Sequence, residues 1–236
     1  MSELKVKAGI IGAMEDEVSI LMEAMGEKQV SVIAGMKFVS GKIDETDAVV
    51  VQCGMGKVNA GICAQTLISQ FGATHIINTG VAGSLNAEIN IGDIVISIDA
   101  VQHDYDVSAI GFAKGEIPYT GLYAFPADEK LRKLAAEAVR ITAPDIGIFE
   151  GRICSGDQFI ASKEQKQKII STFGGLCAEM EGAAIAQAAY LNQIPYVILR
   201  AISDKADDSE EVSFDLFASK AAKVSALAVR EMLKMM

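Results

Sequence analysis

Short apolar runs alternate with helix-like segments along nearly the whole of this 236-residue chain. Runs such as 6–12, 48–54 and 195–203 are typical of buried β-strands, whereas MEDEVSILMEAM (14–25) places its apolar residues at helical spacing. Strands that alternate with helices form a layered α/β unit, in which helices cover the faces of a sheet. The pattern predicts a single domain over residues 1–236, with a central mixed β-sheet flanked by helices.

The remaining segments continue this pattern. The runs QVSVIAG (29–35) and MKFVSGKI (36–43) are close enough to form an antiparallel pair. Two of the four prolines fall in residues 103–127, which indicates a long loop. Further strands are predicted at 75–80, 93–102, 146–156 and 176–180, and helices at 57–72, 127–139, 163–173, 182–191 and 213–236.

Apolar content bears on where such a chain resides. Half of the residues are apolar, which is enough for a sizeable core. No apolar run approaches the roughly 18–20 residues of a membrane span. The stretch MSELKVKAGI lacks the apolar segment of a signal peptide. We therefore expect a cytoplasmic protein with no membrane partner.

Net charge and the spacing of cysteines and histidines argue against a nucleic-acid-binding protein and against a metalloprotein. The net charge is −10 and the basic residues are scattered, which disfavours a nucleic-acid partner but not a free nucleoside. The four cysteines show no CxxC spacing and are expected to be buried reduced thiols. The two histidines, His75 and His103, are far apart. We therefore expect no metal site.

Polar residues follow most of the predicted strands, and ligands of open α/β sheets collect at the carboxyl ends of strands. The turns are predicted to include CGMGKVNAG (53–61), NTGVAGS (78–84) and SGDQFI (155–160). The first resembles a phosphate-binding loop, but Asn59 stands where GxGxxG needs glycine, and Val58 where the Walker pattern needs serine or threonine. Its glycines therefore indicate a tight turn.

Three separate acids stand at these strand ends, and each has two interpretations. Glu17 lies in an acidic helix start, and Glu181 precedes an alanine-rich helix, so both could simply complement a helix dipole. Asp204 ends a very apolar strand, where it could cap a helix or, if desolvated, keep a proton for donation. Phe159 could belong to the core or form a stacking platform. Paired carboxylates without a metal suit glycosidic-bond hydrolysis.

Seven segments carry a resemblance to a known family. In order they are GIIGAMEDEV, INTGVAGS, IGDIVIS, HDYDVSAIG, SGDQFI, AEMEGAAIA and RAISDKAD. Together they resemble the bacterial 5′-methylthioadenosine/S-adenosylhomocysteine nucleosidases of the purine nucleoside phosphorylase/uridine phosphorylase superfamily. The resemblance implies a nucleoside phosphorylase-like fold, a homodimer, and hydrolysis of the bond between adenine and thioribose without a metal or organic cofactor.

Carried onto this chain, the resemblance assigns chemistry to three carboxylates. Glu17 is expected to position and activate the attacking water. Asp204 is expected to protonate adenine at N7, with support from Ser203. Glu181 is expected to bind the ribose hydroxyls, with Met180 packed against the sugar.

The resemblance also assigns the walls of the site. Phe159 is expected to stack on adenine, whose edge the backbone of Ile160 would read. Val81 stands where the family often has serine, and Ile110 where phenylalanine is common. Ala82 and Gly83 are also expected to contact the substrate. Met14, Met55 and Phe214 are expected to line the sugar and alkylthio pocket. Val107 and Ile110 would reach into the partner subunit's site.

Three alternatives remain open. A phosphorolytic relative would need a cluster of phosphate-binding groups. This chain has no arginine before Arg132, and Glu17 would repel phosphate. A sibling nucleosidase acting on aminodeoxyfutalosine could use the same residues. A non-catalytic nucleoside sensor would bind without turnover.

Overall fold

The computed structural model describes residues 6–206 and 210–236, with the side chains of 6–206 and 217–236. Its elements follow one another along the chain much as the alternating pattern predicts. They are β1 (Lys7–Gly12), α1 (Glu15–Ala24), β2 (Met25–Ile33), β3 (Met36–Ile43), β4 (Thr46–Gln52), α2 (Lys57–Phe71), β5 (His75–Ser84), β6 (Ile94–Gln102), β7 (Phe125–Pro126), α3 (Glu129–Thr142), β8 (Ile148–Ser155), α4 (Lys163–Phe173), β9 (Cys177–Glu179), α5 (Gly182–Leu191), β10 (Tyr196–Asp204) and α6 (Glu210–Lys234).

All of these strands belong to one mixed sheet, as predicted. From β5 the sheet extends outward through β1, β4, β3 and β2. In the other direction it curls, because β5 pairs with both β10 and β9, and these connect back to each other through β6 and β8. The predicted antiparallel hairpin of β2 and β3 is confirmed.

Helices cover both faces of this sheet. Helices α2 and α5 pack against each other on one face, over a core that includes Leu67 and Ile185. Helix α6 packs against α1 and α3 on the other face, over a core that includes Leu21 and Val139. These two apolar layers leave the carboxyl ends of the central strands free for polar side chains. No helix in the described part of the chain combines the length and apolar character that membrane crossing requires.

One predicted turn is wrong. Strand β5 does not end near residue 80 but continues to Ser84, so that Val81, Ala82 and Gly83 are strand residues. Val81 and Ala82 pair with Ala201 and Ile202 of β10, which keeps the backbone extended. Glycines in a local sequence indicate a turn. Here they continue a strand, because the strand that pairs with them, β10, lies far away along the chain. The predicted long loop 103–127 contains a short 3-10 turn at Ser108–Ile110 and the two-residue β7.

Candidate active site

A pocket opens where the carboxyl ends of the central strands converge. It encloses about 580 Å³ of space, part of which is open to solvent. Its lining is Ala13, Met14, Glu17, Met55, Val81, Ala82, Gly83, Gln158, Phe159, Ile160, Ala178, Glu179, Met180, Glu181, Ser203 and Asp204. Most of the predicted site residues are therefore brought together in one place.

Glu17, the third residue of α1, lies at one end of the pocket. Its side chain is almost fully buried. Oε2 accepts hydrogen bonds from the backbone N–H groups of Ala13 (2.6 Å) and Met14 (2.9 Å), and Oε1 accepts one from Val81 N–H (3.0 Å). Burial raises the pKa of Glu17, and the charge of Arg200 and these backbone donors only partly oppose that effect. A buried carboxyl with a raised pKa suits proton transfer near neutral pH.

Glu181 lies beside it, where β9 gives way to α5. Its Oε1 accepts a hydrogen bond from Gly56 N–H at 2.8 Å, which connects it to the glycine turn after β4. Gly56 has φ +98°, a conformation that favours glycine, so the turn can present its N–H to the carboxylate. Burial, followed by the charge of Glu179, raises the pKa of Glu181 to about 7.

Behind these two acids lies Arg200, a fully buried arginine in the middle of β10. Its Nη2 donates to Glu179 Oε2 and, at 2.7 Å, to Asn78 Oδ1, and it lies 3.6 Å from Glu181 Oε2. A Cβ on Gly80 would overlap both Arg200 Nη1 and Glu17 Oε1, so the two groups lie close together across this glycine. One guanidinium therefore serves three buried carboxylates.

The opposite end of the pocket has a different character. Asp204 is also buried, but its partners are neutral: Ser203 Oγ donates to Oδ2 at 2.6 Å, and Ala206 N–H donates to Oδ1 at 3.0 Å. Pairing between β10 and β5 is irregular at Ser203, where the register shifts between Ile202 and Asp204. Bulges of this kind re-aim side chains near functional sites.

Apolar side chains also line the pocket. Phe159 is 51% exposed and stands at the pocket mouth with Met55, which is 64% exposed. Ile160 is buried, and Met180 and Met14 are half-buried in the wall. These groups give the pocket apolar surfaces beside its carboxylates.

A polar network joins three loops at the mouth. Lys57 Nζ lies 2.5 Å from Asp104 Oδ1, and Asp104 Oδ2 accepts from Asp157 N–H at 2.9 Å. Asp157 Oδ1 in turn accepts from Lys57 N–H at 2.8 Å. The network holds the glycine turn that supports Glu181 against the loop that carries Phe159.

Three predicted residues are not among the described residues that line this pocket. Val107 is half-buried and Ile110 is 72% exposed, and both lie in the 103–127 loop away from the pocket lining. Phe214 lies on α6 at a position whose side chain is outside the described residues. Their predicted contacts remain predictions.

Sequence reasoning missed several contributors. Arg200 and the role of Glu179 are the most important, together with Ala13, Gln158 and Ala178 in the lining. A signal for Arg200 existed, because a charged residue inside the apolar run PYVILRAIS needs a buried partner. Within the described ranges, no group of three or more His, Cys, Asp or Glu side chains is arranged to hold a metal ion.

Known proteins resemble this chain in sequence over nearly its whole length. Residues 7–234 match the model of the phosphorylase superfamily. A 5′-methylthioadenosine/S-adenosylhomocysteine nucleosidase of Glaesserella parasuis is 42% identical over 229 residues, which cover 97% of this chain and 98% of that protein.

Solved structures agree with the sequence comparison. The nucleosidase of that name from Neisseria meningitidis, in complex with methylthio-immucillin-A, has a TM-score of 0.94 and 37% identity, and covers 99% of this chain and 100% of its own. A futalosine hydrolase of Helicobacter pylori has a TM-score of 0.93 and 35% identity, with 100% of both chains covered. With relatives this similar over the full length, the chain belongs to the 5′-methylthioadenosine/S-adenosylhomocysteine nucleosidase family of the phosphorylase superfamily.

Proposed function

We propose that this protein hydrolyses the N-glycosidic bond of 5′-methylthioadenosine and S-adenosylhomocysteine, releasing adenine and the 5-thioribose product. The observation that carries the proposal is the pocket itself, which holds Asp204 at one end and Glu17 with Glu181 at the other. The names of the relatives supply the substrate class.

Asp204 is the general acid in this proposal. Adenine is a poor leaving group as an anion, and a proton delivered to N7 lets it leave as a neutral base. The Ser203 hydroxyl and Ala206 N–H hold the Asp204 carboxyl in a fixed orientation at the strand end. Phe159 stacks on the base at the mouth, and the backbone of Ile160 reads its edge.

Glu17 and Glu181 act on the sugar side. As the C1′–N9 bond breaks, positive charge develops on the sugar, and nearby carboxylates stabilise it. Glu17 takes a proton from the water that attacks C1′, while Glu181 accepts hydrogen bonds from the ribose hydroxyls and Met180 packs against the ring. Met14 and Met55 line the alkylthio end, where the family resemblance also predicts Phe214. Val81, Ala82 and Gly83 form the β5 wall.

Water is favoured over phosphate by the surroundings of Glu17. The backbone N–H groups of Ala13, Met14 and Val81, which would suit an anion, already donate to the Glu17 carboxylate. None of the described residues that line the pocket is arginine or lysine. Phosphate would therefore meet negative charge without a cation to receive it.

The test is adenine release from both nucleosides in phosphate-free buffer, followed by addition of phosphate. We expect turnover without phosphate and no acceleration by it. Strict dependence on phosphate, or a sugar phosphate as product, would contradict hydrolysis.

A second candidate substrate is aminodeoxyfutalosine, because a futalosine hydrolase matches this chain over its full length. The residues at the adenine and ribose positions would serve equally well for that nucleoside. Rates of adenine release from methylthioadenosine and aminodeoxyfutalosine, compared under identical conditions, decide between them.

A homodimer is part of the same proposal. Met55, Val58 (71% exposed) and Ile62 form an exposed apolar strip beside the pocket mouth, and Ile110 is a second exposed apolar group. A second copy would cover the strip and bring Val107 and Ile110 to the partner's pocket. Light scattering should give the mass of two chains, and Ile110→Asp should weaken both association and activity. A monomer that is fully active would contradict this arrangement.

A further inference from the structure

Glu179 has more contacts than a structural carboxylate at a strand end requires. Its side chain is only 2% exposed. Ser155 Oγ donates to Oε1 and Arg200 Nη2 donates to Oε2. Backbone N–H groups of Glu181 and Gly182 donate to Oε2 at 3.0 and 2.8 Å. Glu179 therefore contacts both the backbone that carries Glu181 and the guanidinium that serves the other acids.

Arg200 lies closest to Glu179 among the three carboxylates around it. Glu181 Oε2 is 3.6 Å from Nη2, which is a charge contact and not a hydrogen bond. Arg200 lies within ion-pair distance of Glu179 and Glu181, while Glu17 faces the guanidinium across Gly80. Glu179 is thus the carboxylate that interacts most strongly with Arg200.

We propose that Glu179 is a positioning residue for the hydrolytic site: by binding Arg200 and the start of α5, it leaves Glu17 and Glu181 without a full counter-charge while holding both in place. The proposal rests on the proposed function. It explains why two glutamates lie two residues apart at the end of β9, since Glu179 supports Glu181 and does not duplicate it.

The charges around Glu179 predict how its removal would change the pKa values of Glu17 and Glu181. Burial is the main reason that the pKa of Glu181 is raised to about 7, the charge of Glu179 adds to it, and Arg200 opposes it. Burial also raises the pKa of Glu17, again against Arg200. The other titratable groups that interact with Glu179 are the buried thiols Cys154 and Cys177 and the ring of His103.

Glu179→Gln tests this directly. Glutamine has the same shape: its carbonyl oxygen can still accept from Arg200 and Gly182, and its NH₂ group can face the Ser155 hydroxyl, which can accept. Arg200 then becomes available to Glu17 and Glu181. We expect the acid limb of the pH profile of kcat/KM to move down by about one unit, since Glu17 and Glu181 stay ionised at lower pH.

Two further variants separate charge from packing. Ser155→Ala removes one contact of Glu179 but keeps its charge, so the acid limb should stay where it is in the wild type. Glu179→Asp withdraws the carboxylate by one methylene from Arg200 and from Glu181, so it should move the limb in the same direction by less. This variant also carries the test if Glu179→Gln does not fold, which circular dichroism reports.

These experiments distinguish failure of the Glu179 proposal from failure of the proposed function. If the wild-type protein releases no adenine in phosphate-free buffer, the proposed function is wrong. If the wild type turns over but Glu179→Gln or Glu179→Asp lowers the rate without moving the acid limb, Glu179 is a packing residue only and the inference is overturned. A limb that moves upward would overturn it as well.

Discussion

The two ends of the pocket contain the same functional group in contrasting surroundings. At the β10 end, Asp204 is held by a hydroxyl and a backbone N–H, both neutral. At the α1 end, Glu17 and Glu181 share the buried Arg200 with Glu179. Asp204 therefore contacts only neutral donors, whereas the three glutamates at the α1 end lie around one guanidinium. Under the proposed function, the contrast separates the proton donor, Asp204, from the pair that binds the water and the sugar, Glu17 and Glu181. Glycoside hydrolysis requires both of these tasks.

The largest expected effect removes the proton donor. Asp204→Asn keeps the shape of the side chain but cannot deliver a proton, so kcat for adenine release should fall by about 10²–10⁴-fold. Affinity for a non-hydrolysable nucleoside, measured by calorimetry, should change little.

This variant also addresses the possibility of a nucleoside sensor. A sensor predicts binding but no turnover in the wild type. Near wild-type turnover in Asp204→Asn would instead show that the acid has been assigned to the wrong residue.

The second prediction concerns stability at the charged end. Arg200→Met leaves three buried carboxylates without their counter-charge, so the free energy of unfolding should fall by about 3–5 kcal/mol in urea denaturation. Arg230→Met is the control, since Arg230 pairs with Asp44 at 3.2 Å on the surface, where loss should cost less than about 1 kcal/mol. Equal losses in both variants would contradict a structural charge centre at Arg200.

A third prediction disturbs the neutral end without touching its chemistry. A Cβ on Gly83 would lie 2.5 Å from Asp204 Oδ1 and 2.9 Å from the Cβ of Ala206. Gly83→Ala should therefore displace the Asp204 carboxyl and lower kcat by about 10²-fold, because small displacements of catalytic groups are costly. Gly26→Ala is the control, as its Cβ would meet only one atom, at 4.0 Å, and it should leave the rate unchanged. Similar rates in both glycine variants would show that Asp204 tolerates displacement.

The smallest expected effect is a pH dependence of nucleoside affinity that comes from Glu181, the proposed ligand of the ribose hydroxyls. Because the pKa of Glu181 is about 7, the affinity for a nucleoside should fall as the pH drops below that value and the carboxylate becomes protonated. An analogue without the 2′- and 3′-hydroxyls should bind weakly and with less pH dependence. Equal pH dependence for both ligands would argue against Glu181 as the hydroxyl ligand.

The same pKa has a consequence for folding. The folded-state pKa of Glu181 lies above its usual value of 4.5, so the folded state holds more protons than the unfolded state between these pH values. The Glu181 contribution to the free energy of unfolding is therefore fully present below about pH 4.5 and is lost as the pH rises through about 7. Glu181→Gln should remove this component from a urea-denaturation series, and an unchanged series would contradict the raised pKa.

Local patterns predicted most of the fold. Helical spacing and apolar runs identify α1 and β10, and the hairpin of β2 and β3 follows from the short separation of its strands. The continuation of β5 through Gly83 could not be predicted, because it depends on pairing with a strand more than a hundred residues later. Closure of the sheet through β5 and β10 is missed for the same reason.

Site residues could be predicted from the sequence where they lie in a recognisable local motif. They could not be predicted where their role depends on contacts between distant segments. Glu17, Glu181 and Asp204 follow strands in recognisable segments, and the structure brings them into one pocket. The shared use of Arg200 emerges only in three dimensions, because its partners come from α1, β9 and the start of α5. No sequence motif predicts the role of Glu179 for the same reason.

The central claim, that the two ends cooperate in hydrolysis, is tested most directly by the fate of the water oxygen. Methylthioadenosine is converted in phosphate-free buffer made with ¹⁸O-labelled water, and the products are examined by mass spectrometry. If the products are analysed before the C1 oxygen of the free sugar exchanges with solvent, hydrolysis predicts unlabelled adenine and a 5-methylthioribose that carries one ¹⁸O atom at C1. A sugar product without the label, or no product until phosphate is added, would contradict it.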